Sequence, residues 1–370
     1  MPNVSKQFII YCSDDYYTAH SSVCRTGGGD ILVAFRRQPN RKKEGRWNMH
    51  IDADSAVCVI RSCDGGKTWS EAVCIHHESG IGDNDPVLTR LSDGRILLTF
   101  FNWGLADVPT REDAGGPNFT RDYHRRQSNN PWPGIFRMFG ASIMHSDDDG
   151  KTWSPPRKIT LPERFHGGRC AIQGHVAELP NGDILLPAYA TTGPKDMMNS
   201  VVLCSHDRGI SFEFRSIAGD GNANAPHGLD EHTLLHLANG DTVSFIRPAG
   251  DPSQNLWMSR SRDQGKNWTL TKVDGVKGVP QKAMHLRDGR VLLVYGYRFA
   301  PVWGVRARIL DPECSNVATA EEITICRHGT GADVGYPDAV EVEPGRVLIV
   351  YYMSDPVSDG HIEASWMEIS

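Results

Sequence analysis

One hairpin pattern recurs six times along the 370 residues, and this repeat constrains the fold more than any other feature. Each copy has an apolar strand, a two-residue turn with glycine, and a strongly apolar second strand that ends in an aromatic residue or an arginine. The copies occupy residues 21–37, 87–101, 176–189, 233–247, 282–298 and 339–352. Pairs such as Asp93-Gly94 and Asn181-Gly182 predict type I′ turns. Six hairpins predict six similar sheets.

A second pattern, Ser-x-Asp-x-Gly-x-Thr-Trp, lies between successive hairpins. It is complete at residues 62–69 and 146–153, and it is eroded at 205–212 and 261–268. The aspartate of such a turn caps backbone amides, and the glycine takes a conformation that other residues resist. A hairpin followed by a turn-bearing hairpin gives four strands per unit, which is a propeller blade. The sequence therefore predicts an all-β, six-bladed β-propeller that spans residues 1–370 as a single domain.

These turns resemble the Asp-boxes, or bacterial neuraminidase repeats, of the sialidase superfamily. Their order with the hairpins is similar to that of six-bladed sialidases over nearly the whole chain. The resemblance implies a carbohydrate-active propeller. Asp-boxes are structural and also occur in proteins that are not enzymes, so an activity must be argued from other residues.

The composition excludes several other classes of function. The formal net charge is −6, which gives no electrostatic footprint for nucleic acid, and no apolar run is long enough to span a membrane. The first residues lack the apolar core of a secretory signal. Nine cysteines without a Cys-x-x-Cys pair disfavour a disulfide framework. We therefore expect a cytoplasmic protein, or a secreted one if a leader was removed.

Polar residues recur at both ends of the hairpins. Because a hairpin returns the chain to the end where it began, residues before its first strand and after its second strand share one rim. Seven to nine positions before the turn glycines stand His20, Asp85, His175, Glu231, Gln281 and Tyr336. Seven to nine positions after them stand Arg36, Arg37, Arg247 and Arg298. If the hairpins are the inner strands, these groups surround one mouth of the central channel and suit a polar, anionic sugar.

The resemblance to sialidases assigns roles to three of these positions and to one aspartate outside them. Sialidases use a tyrosine nucleophile paired with a glutamate. Tyr336, in Gly-Tyr-Pro-Asp, is similar to the nucleophile, and Glu231 to its partner. Arg247 matches one arginine of the carboxylate-binding triad. The acid/base aspartate lies ahead of the first Asp-box, where Asp54 stands with Asp52 as a near alternative.

The sequence also departs from the sialidase pattern. Ala19-His20-Ser21 stands where sialidases have Arg-Ile-Pro, and an imidazole cannot form a bidentate fork with a carboxylate. The third arginine is displaced, with Arg298 as the nearest candidate. These departures indicate that the substrate is an acidic or sialic-acid-like sugar that differs from the usual sialic acid of sialidases.

Three functions are compatible with these residues. The first is a retaining exo-glycoside hydrolase of sialidase type. The second is a polysaccharide lyase, in which a tyrosine or histidine removes a proton beside a uronate carboxylate. The third is a non-catalytic propeller that binds glycans. All three predict a carbohydrate ligand, no cofactor, no nucleic-acid partner and no catalytic metal, because no metal-ligand spacing occurs.

Two further segments carry expectations. Residues 102–140 form a long insertion, including Trp132, which predicts a lid, a binding loop or a dimer contact, and a homo-oligomer is compatible with it. Residues 164–175 carry two histidines and Arg169 and lead into the third hairpin. This second segment is either a surface cluster or part of a substrate site.

Overall fold

The all-β class and the six-bladed propeller are both confirmed by the structure. The computed structural model describes residues 2–46, 48, 51–106, 120–122, 135–192, 197–225, 228–249, 255–354 and 360–369. These residues form six antiparallel sheets. Helical structure in these ranges is limited to α1 (Gly221–Asn224) and two single 3-10 turns, Arg41–Glu44 and His166–Gly168. None of the described helices has the length and apolar character that crossing a membrane would need.

Two short strands precede the first blade, and the first three blades follow in chain order. The opening strands are β1 (Asn3–Val4) and β2 (Phe8–Tyr11). Blade one contains β3 (Tyr16–Arg25), β4 (Ile31–Pro39), β5 (Ala56–Ser62) and β6 (Val73–His76). Blade two contains β7 (Ile81–Arg90), β8 (Ile96–Ala106), β9 (Thr120–Asp122), β10 (Ile135–Ser146) and β11 (Arg157–Ile159). Blade three contains β12 (Ala177–Glu178), β13 (Ile184–Ala190), β14 (Asn199–Ser205) and β15 (Glu213–Gly219).

The remaining three blades complete the ring. Blade four contains β16 (Leu229–His236), β17 (Thr242–Pro248), β18 (Trp257–Ser261) and β19 (Thr269–Lys272). Blade five contains β20 (Gln281–His285), β21 (Val291–Phe299), β22 (Val302–Leu310) and β23 (Glu322–Gly329). Blade six contains β24 (Gly335–Glu343), β25 (Arg346–Met353) and β26 (His361–Glu368). First strands of neighbouring blades contact one another, such as β24 with β3 and β16 with β20, so these strands are the innermost ones.

The N-terminal strands close the ring by joining the last blade. Both β1 and β2 pair antiparallel with β26, where Asn3 lies opposite Glu368 and Phe8 opposite Ala364. Ile10 of β2 is buried in a core that it shares with Phe35 of blade one and Ile362 of blade six. The two ends of the chain therefore fill one blade together.

The hairpin turns differ from the predicted type I′ turns. In the second hairpin the Gly94 amide donates to the Leu91 carbonyl, and the Leu91 amide donates to the Arg95 carbonyl. Gly94 has a φ of 98°, whereas Asp93 is absent from the residues with positive φ. This is a longer loop with a glycine in the left-handed region, and the two-residue prediction was wrong. The Asp93 side chain instead accepts from the Arg95 amide.

The Asp-box turns follow the predicted geometry. Asp64 Oδ1 accepts from the amides of Lys67 and Thr68, and its Oδ2 accepts from the Thr68 hydroxyl. The glycines of the four boxes all have positive φ. Blade five carries a related turn that the pattern missed, in which Asp311 accepts from the amide and hydroxyl of Ser315.

Strands extend into both ends of the predicted insertion at 102–140. Residues 102–106 belong to β8 and pair with 135–140 of β10, and β9 pairs with β10 as well. Of the predicted insertion, residues 102–106, 120–122 and 135–140 are therefore in strands. Trp132 and most of the segment lie outside the described residues.

Candidate active site at the rim of the propeller

The innermost strands are irregular at equivalent places. In four blades the pairing between the first and second strands shifts in register, which marks a β-bulge in the first strand. The shifts lie between Ala19 and Ser22 in β3, Asn84 and Val87 in β7, Leu229 and His232 in β16, and Gly335 and Asp338 in β24. At three of these bulges a residue other than glycine has positive φ, namely His20 at 56°, Asp85 at 49° and Tyr336 at 46°. Such residues rarely adopt this region, and strain of this kind clusters at functional sites. The bulges re-aim these side chains away from the regular pleat.

A line of contacts joins four of the predicted residues at this rim. His20 Nδ1 lies 2.6 Å from Asp85 Oδ1, and both side chains are buried. The His20 ring lies 4.3 Å from the ring of Tyr336, centroid to centroid. The Tyr336 hydroxyl donates to Glu231 Oε1 at 2.9 Å. We call His20, Asp85, Glu231 and Tyr336 the rim tier.

Two arginines flank the tyrosine. Arg247 Nη1 lies 2.6 Å from Glu231 Oε2, and its Nε lies 3.7 Å from Asp230 Oδ1. Arg298 lies over the ring of Tyr336, with its Cζ 5.0 Å from the ring centroid. Burial raises the pKa of Asp230 to about 6, although Arg247 opposes this shift. The guanidinium groups of Arg247 and Arg298 therefore contact carboxylates and the phenol of Tyr336.

The environment keeps the phenol of Tyr336 protonated. Burial raises the pKa of Tyr336 well above 10, and the neighbouring carboxylates of Glu231 and Asp85 raise it further. The guanidinium groups of Arg247 and Arg298 act in the opposite direction. A neutral phenol needs a base to become a nucleophile, and Glu231 is the carboxylate that already accepts its hydrogen bond.

A second group of polar side chains comes from residues that stand seven positions before the turn glycine of their hairpin. His175 Nε2 lies 2.9 Å from Asp338 Oδ2, and the same oxygen accepts from the Ser22 hydroxyl at 2.6 Å. Lys282 is buried nearby, and its Nζ has no hydrogen-bond partner among the described residues. Burial lowers the pKa of Lys282 to about 8, opposed by the charges of Asp338, Asp85 and Glu231. We call His175, Ser22, Asp338 and Lys282 the lower tier.

Three tyrosine and aspartate side chains beside the rim were not predicted. The hydroxyls of Tyr17 and Tyr352 donate to opposite oxygens of Asp333, at 2.7 and 2.8 Å. Arg298 Nη2 donates to the Tyr352 hydroxyl at 3.1 Å, and its Nε donates to the Val334 carbonyl. This cluster fixes the arginine that lies over Tyr336.

Other predicted site residues lie elsewhere. Gln281 Nε2 donates to the backbone carbonyls of Glu231 and Phe245, so it joins blades four and five. Its neighbour Lys282 is the residue that interacts with the carboxylates of the site. Arg36 is buried and donates to Gln38, with its Cζ 5.8 Å from the ring centroid of Tyr17. Arg37 faces the other side of β4, and its Cζ lies 4.2 Å from the ring centroid of Tyr16. Of the four predicted arginines, Arg247 and Arg298 therefore lie beside Tyr336 and Glu231, Arg36 lies against Tyr17, and Arg37 lies away from them.

The two candidate acid/base aspartates share one arginine. Asp52 is buried and accepts from both Nε and Nη2 of Arg41 at 2.9 Å. The Asp54 side chain is 32% exposed and contacts Arg41 Nη2 at 2.6 Å through one oxygen. The exposed fraction leaves Asp54 the more accessible carboxylate of the two.

A simple count would have found part of the lower tier. The rim-tier residues stand nine positions before the positive-φ glycine of their hairpin, and Asp338, His175 and Lys282 stand seven positions before theirs. The sequence prediction treated spacings of seven to nine residues as equivalent. It therefore assigned His175 to the rim tier, although His175 belongs to the lower tier, and it selected Gln281 in place of Lys282.

A group of potential metal ligands lies away from the channel. Within the described ranges, Asp183, Cys204 and His206 are the group whose ligand atoms converge, and they lie on blade three. The absence of a catalytic metal stays a prediction.

Comparison with known proteins agrees with the fold. The model of the BNR repeat-like domain family matches residues 123–349. A sialidase of Micromonospora viridifaciens is 22% identical over 305 residues, which cover 77% of this chain and 40% of the relative. The chain thus spans about two fifths of the length of this curated relative.

Solved structures show the same architecture. A protein of unknown function from Dyadobacter fermentans superposes with a TM-score of 0.86 at 32% identity and covers 100% of this chain and 99% of its own. A Hadza microbial sialidase superposes with a TM-score of 0.68 at 16% identity, over 98% of this chain and 68% of its own. The chain therefore belongs to the BNR repeat-like domain family and folds as a six-bladed propeller.

Proposed function

We propose that this protein is a retaining exo-glycoside hydrolase of sialidase type that acts on an acidic, sialic-acid-like sugar. The observation that carries the proposal is the buried hydrogen bond from the Tyr336 hydroxyl to Glu231 Oε1, at 2.9 Å. Distant relatives and structural neighbours that are named sialidases support the same class of enzyme.

In the first step Tyr336 Oη attacks the anomeric carbon, and its proton passes to Glu231. A phenol whose pKa lies well above 10 is a weak nucleophile at neutral pH, so this transfer supplies the activation. Arg247, which contacts the other oxygen of Glu231, orients the carboxylate toward the tyrosine. The reverse transfer restores the phenol when water cleaves the glycosyl–tyrosine bond.

Asp54 is the acid/base residue in this proposal. It protonates the leaving oxygen in the first step and removes a proton from water in the second. Arg41 holds one oxygen of Asp54, which leaves the second oxygen for the substrate. Asp52, with both of its oxygens bound to Arg41, serves to fix that arginine.

The chemistry of the nucleophile favours an acidic substrate. A carboxylate nucleophile would be repelled by a carboxylate on the anomeric carbon, whereas a neutral phenol is not. Arg247 and Arg298 flank Tyr336 and supply positive charge for that group. His20, bound to Asp85, stands where sialidases have the arginine of their Arg-Ile-Pro signature, so the sugar differs there.

The lyase alternative is favoured by one observation, the tilted contact between the rings of His20 and Tyr336 together with the contact of Asp85 to Nδ1 of the imidazole. A tyrosine or imidazole base beside a uronate carboxylate could remove a proton, and elimination would leave an unsaturated sugar. The two reactions differ in their products, since only elimination gives a chromophore in the ultraviolet.

The test is a panel of aryl glycosides that includes ulosonic acid ketosides and uronides, assayed with the wild type and three variants. We expect hydrolysis of an acidic ketoside without an ultraviolet-absorbing product. Tyr336→Phe and Glu231→Gln should lower kcat by about 10²–10⁴-fold, the usual contribution of general-base activation. Tyr295→Phe, a buried tyrosine bonded to Glu322 in blade five, serves as the control and should keep its activity. Full activity of Tyr336→Phe would contradict the proposal.

A further inference from the structure

Two cysteines lie directly opposite each other in blade one. Cys58 of β5 and Cys74 of β6 are register partners, and the register shifts between Val57 and Cys58 so that Ile75 is the extra residue. Directly opposed residues in an antiparallel pair have Cα atoms about 4.5–5.5 Å apart and share one face of the sheet. This separation lies inside the range of about 4.4–6.8 Å that a disulfide spans.

The two thiols have different surroundings. Cys58 is buried in the core between blades one and six, whereas Cys74 is exposed on the outermost strand. Interaction with the neighbouring Cys58 thiol lowers the pKa of Cys74. The positive charges of Arg37 and His77 lower the pKa of Cys74 further, while burial and Asp83 oppose the shift. An accessible thiol with thiolate character beside a second thiol is the arrangement of a redox-sensitive pair.

We propose that Cys58 and Cys74 form a modification site that a low-molecular-weight disulfide oxidises reversibly to a protein disulfide. The Cys74 thiolate attacks one sulfur of the small disulfide, and the first small thiol leaves. The Cys58 thiol then gives up its proton and its sulfur attacks the Cys74 sulfur, which releases the second small thiol. Two protein thiols are oxidised to one disulfide, and one small disulfide is reduced to two thiols.

The disulfide would link β5 to β6, the outermost strand of blade one. The chain between the two cysteines contains the first Asp-box, from Ser62 to Trp69. Closing a loop of about 15 residues restricts the unfolded chain and stabilises the folded state. The oxidised protein should therefore hold β6 on the blade more firmly than the reduced protein.

The experiment uses the full chain with the other exposed cysteines removed. Cys12 and Cys63 are the remaining exposed thiols among the described residues, so Cys12→Ser/Cys63→Ser leaves Cys74 as the accessible one. Under non-denaturing conditions this protein is incubated with glutathione disulfide and measured by intact mass and peptide mapping. We expect a loss of about 2 Da, a cross-linked pair of peptides that contain Cys58 and Cys74, reversal by dithiothreitol, and a thermal midpoint higher by about 5 °C.

A matched variant identifies the resolving cysteine. Adding Cys58→Ser should stop the reaction at a glutathione adduct on Cys74, because no second thiol displaces the small molecule. A stable glutathione adduct in the protein that retains Cys58, or recovery of unmodified thiols, would overturn the proposal. A cross-link from Cys74 to any other cysteine would overturn it as well. None of these readouts depends on the activity proposed above.

Discussion

Lys282 shows how the charges of single residues are balanced beneath the rim tier. Its ammonium is fully buried and lacks a hydrogen bond to any described residue, and it interacts with the charges of Asp338, Asp85 and Glu231. Desolvation of an ammonium costs free energy, and the three carboxylates offset only part of that cost. Burial therefore lowers the pKa of Lys282 from 10.5 to about 8.

This shift predicts a pH-dependent contribution to stability. Between pH 8 and pH 10.5 the unfolded chain binds a proton at Lys282 that the folded chain has lost, so the free energy of unfolding rises with pH. Relative to Lys282→Met, the wild type should gain about 2 kcal/mol between pH 7 and pH 10. Denaturant titrations at both pH values measure the difference. Lys151→Met, at an exposed position, is the control, and equal behaviour of the two variants would contradict the account.

The residues of the site divide by how directly the sequence encodes them. Tyr336 and Glu231 follow from a motif and its spacing, and the structure brings them into contact. Asp338 was missed because the direction of a side chain near a bulge depends on which residue is extra, and an apolar–polar pattern does not specify this. Lys282 lies in a strand of regular register and was missed because the count selected its neighbour Gln281, one position earlier. Arg37 cannot share a face of β4 with its neighbour Arg36, because successive side chains of a strand point to opposite faces, and Arg37 lies against Tyr16 instead.

At the scale of structural elements, the Asp-box turns also join neighbouring blades. Three of the four box glycines pack against the second strand of the preceding blade, as Gly209 does against Leu97 and Gly265 against Leu185. The sequence predicted the turn itself, because its aspartate and glycine act locally. It did not predict the packing between blades, which depends on the twist and spacing of two sheets.

A pair of glycine variants separates turn strain from blade packing. Gly265 and Gly240 have positive φ of 78° and 92°, but an added Cβ would lie 2.8 Å from Leu185 Cδ1 at Gly265 and would contact nothing at Gly240. Gly240→Ala should cost about 1 kcal/mol in the free energy of unfolding through backbone strain alone. Gly265→Ala should cost about 2 kcal/mol more, because Leu185 must move. Chemical denaturation measures both losses of unfolding free energy. Equal losses for the two variants would show that contact between Gly265 and Leu185 does not stabilise the packing of the blades.

At the scale of the whole molecule, the ring depends on the N-terminal strands. The hairpin count predicted six blades, but the six hairpins alone do not show which segment completes the last sheet. The structure assigns this task to β1 and β2, which pair with β26. Pairing between strands at opposite ends of the chain carries no local signal in the sequence.

Adjacent isoleucines in β2 test this closure. Ile10 is 7% exposed and packs in the core between blades six and one, whereas Ile9 is 54% exposed. Ile10→Ala should lower the free energy of unfolding by about 2–4 kcal/mol, as expected for a truncated core side chain. Ile9→Ala should change it by less than about 0.5 kcal/mol. Thermal and denaturant unfolding of the two variants would show a similar, small loss if β2 did not seal the ring.

Covalent trapping at Tyr336 tests the central claim most directly. A fluorinated ulosonosyl fluoride, with fluorine next to the anomeric carbon, slows hydrolysis of a glycosyl–enzyme intermediate and lets it accumulate. After incubation with the wild type, intact mass should rise by one glycosyl unit, and peptide mapping should locate the adduct on Tyr336. Tyr336→Phe should remain unlabelled. An adduct on another residue, or equal labelling of Tyr336→Phe, would contradict the assignment of this tyrosine as the nucleophile.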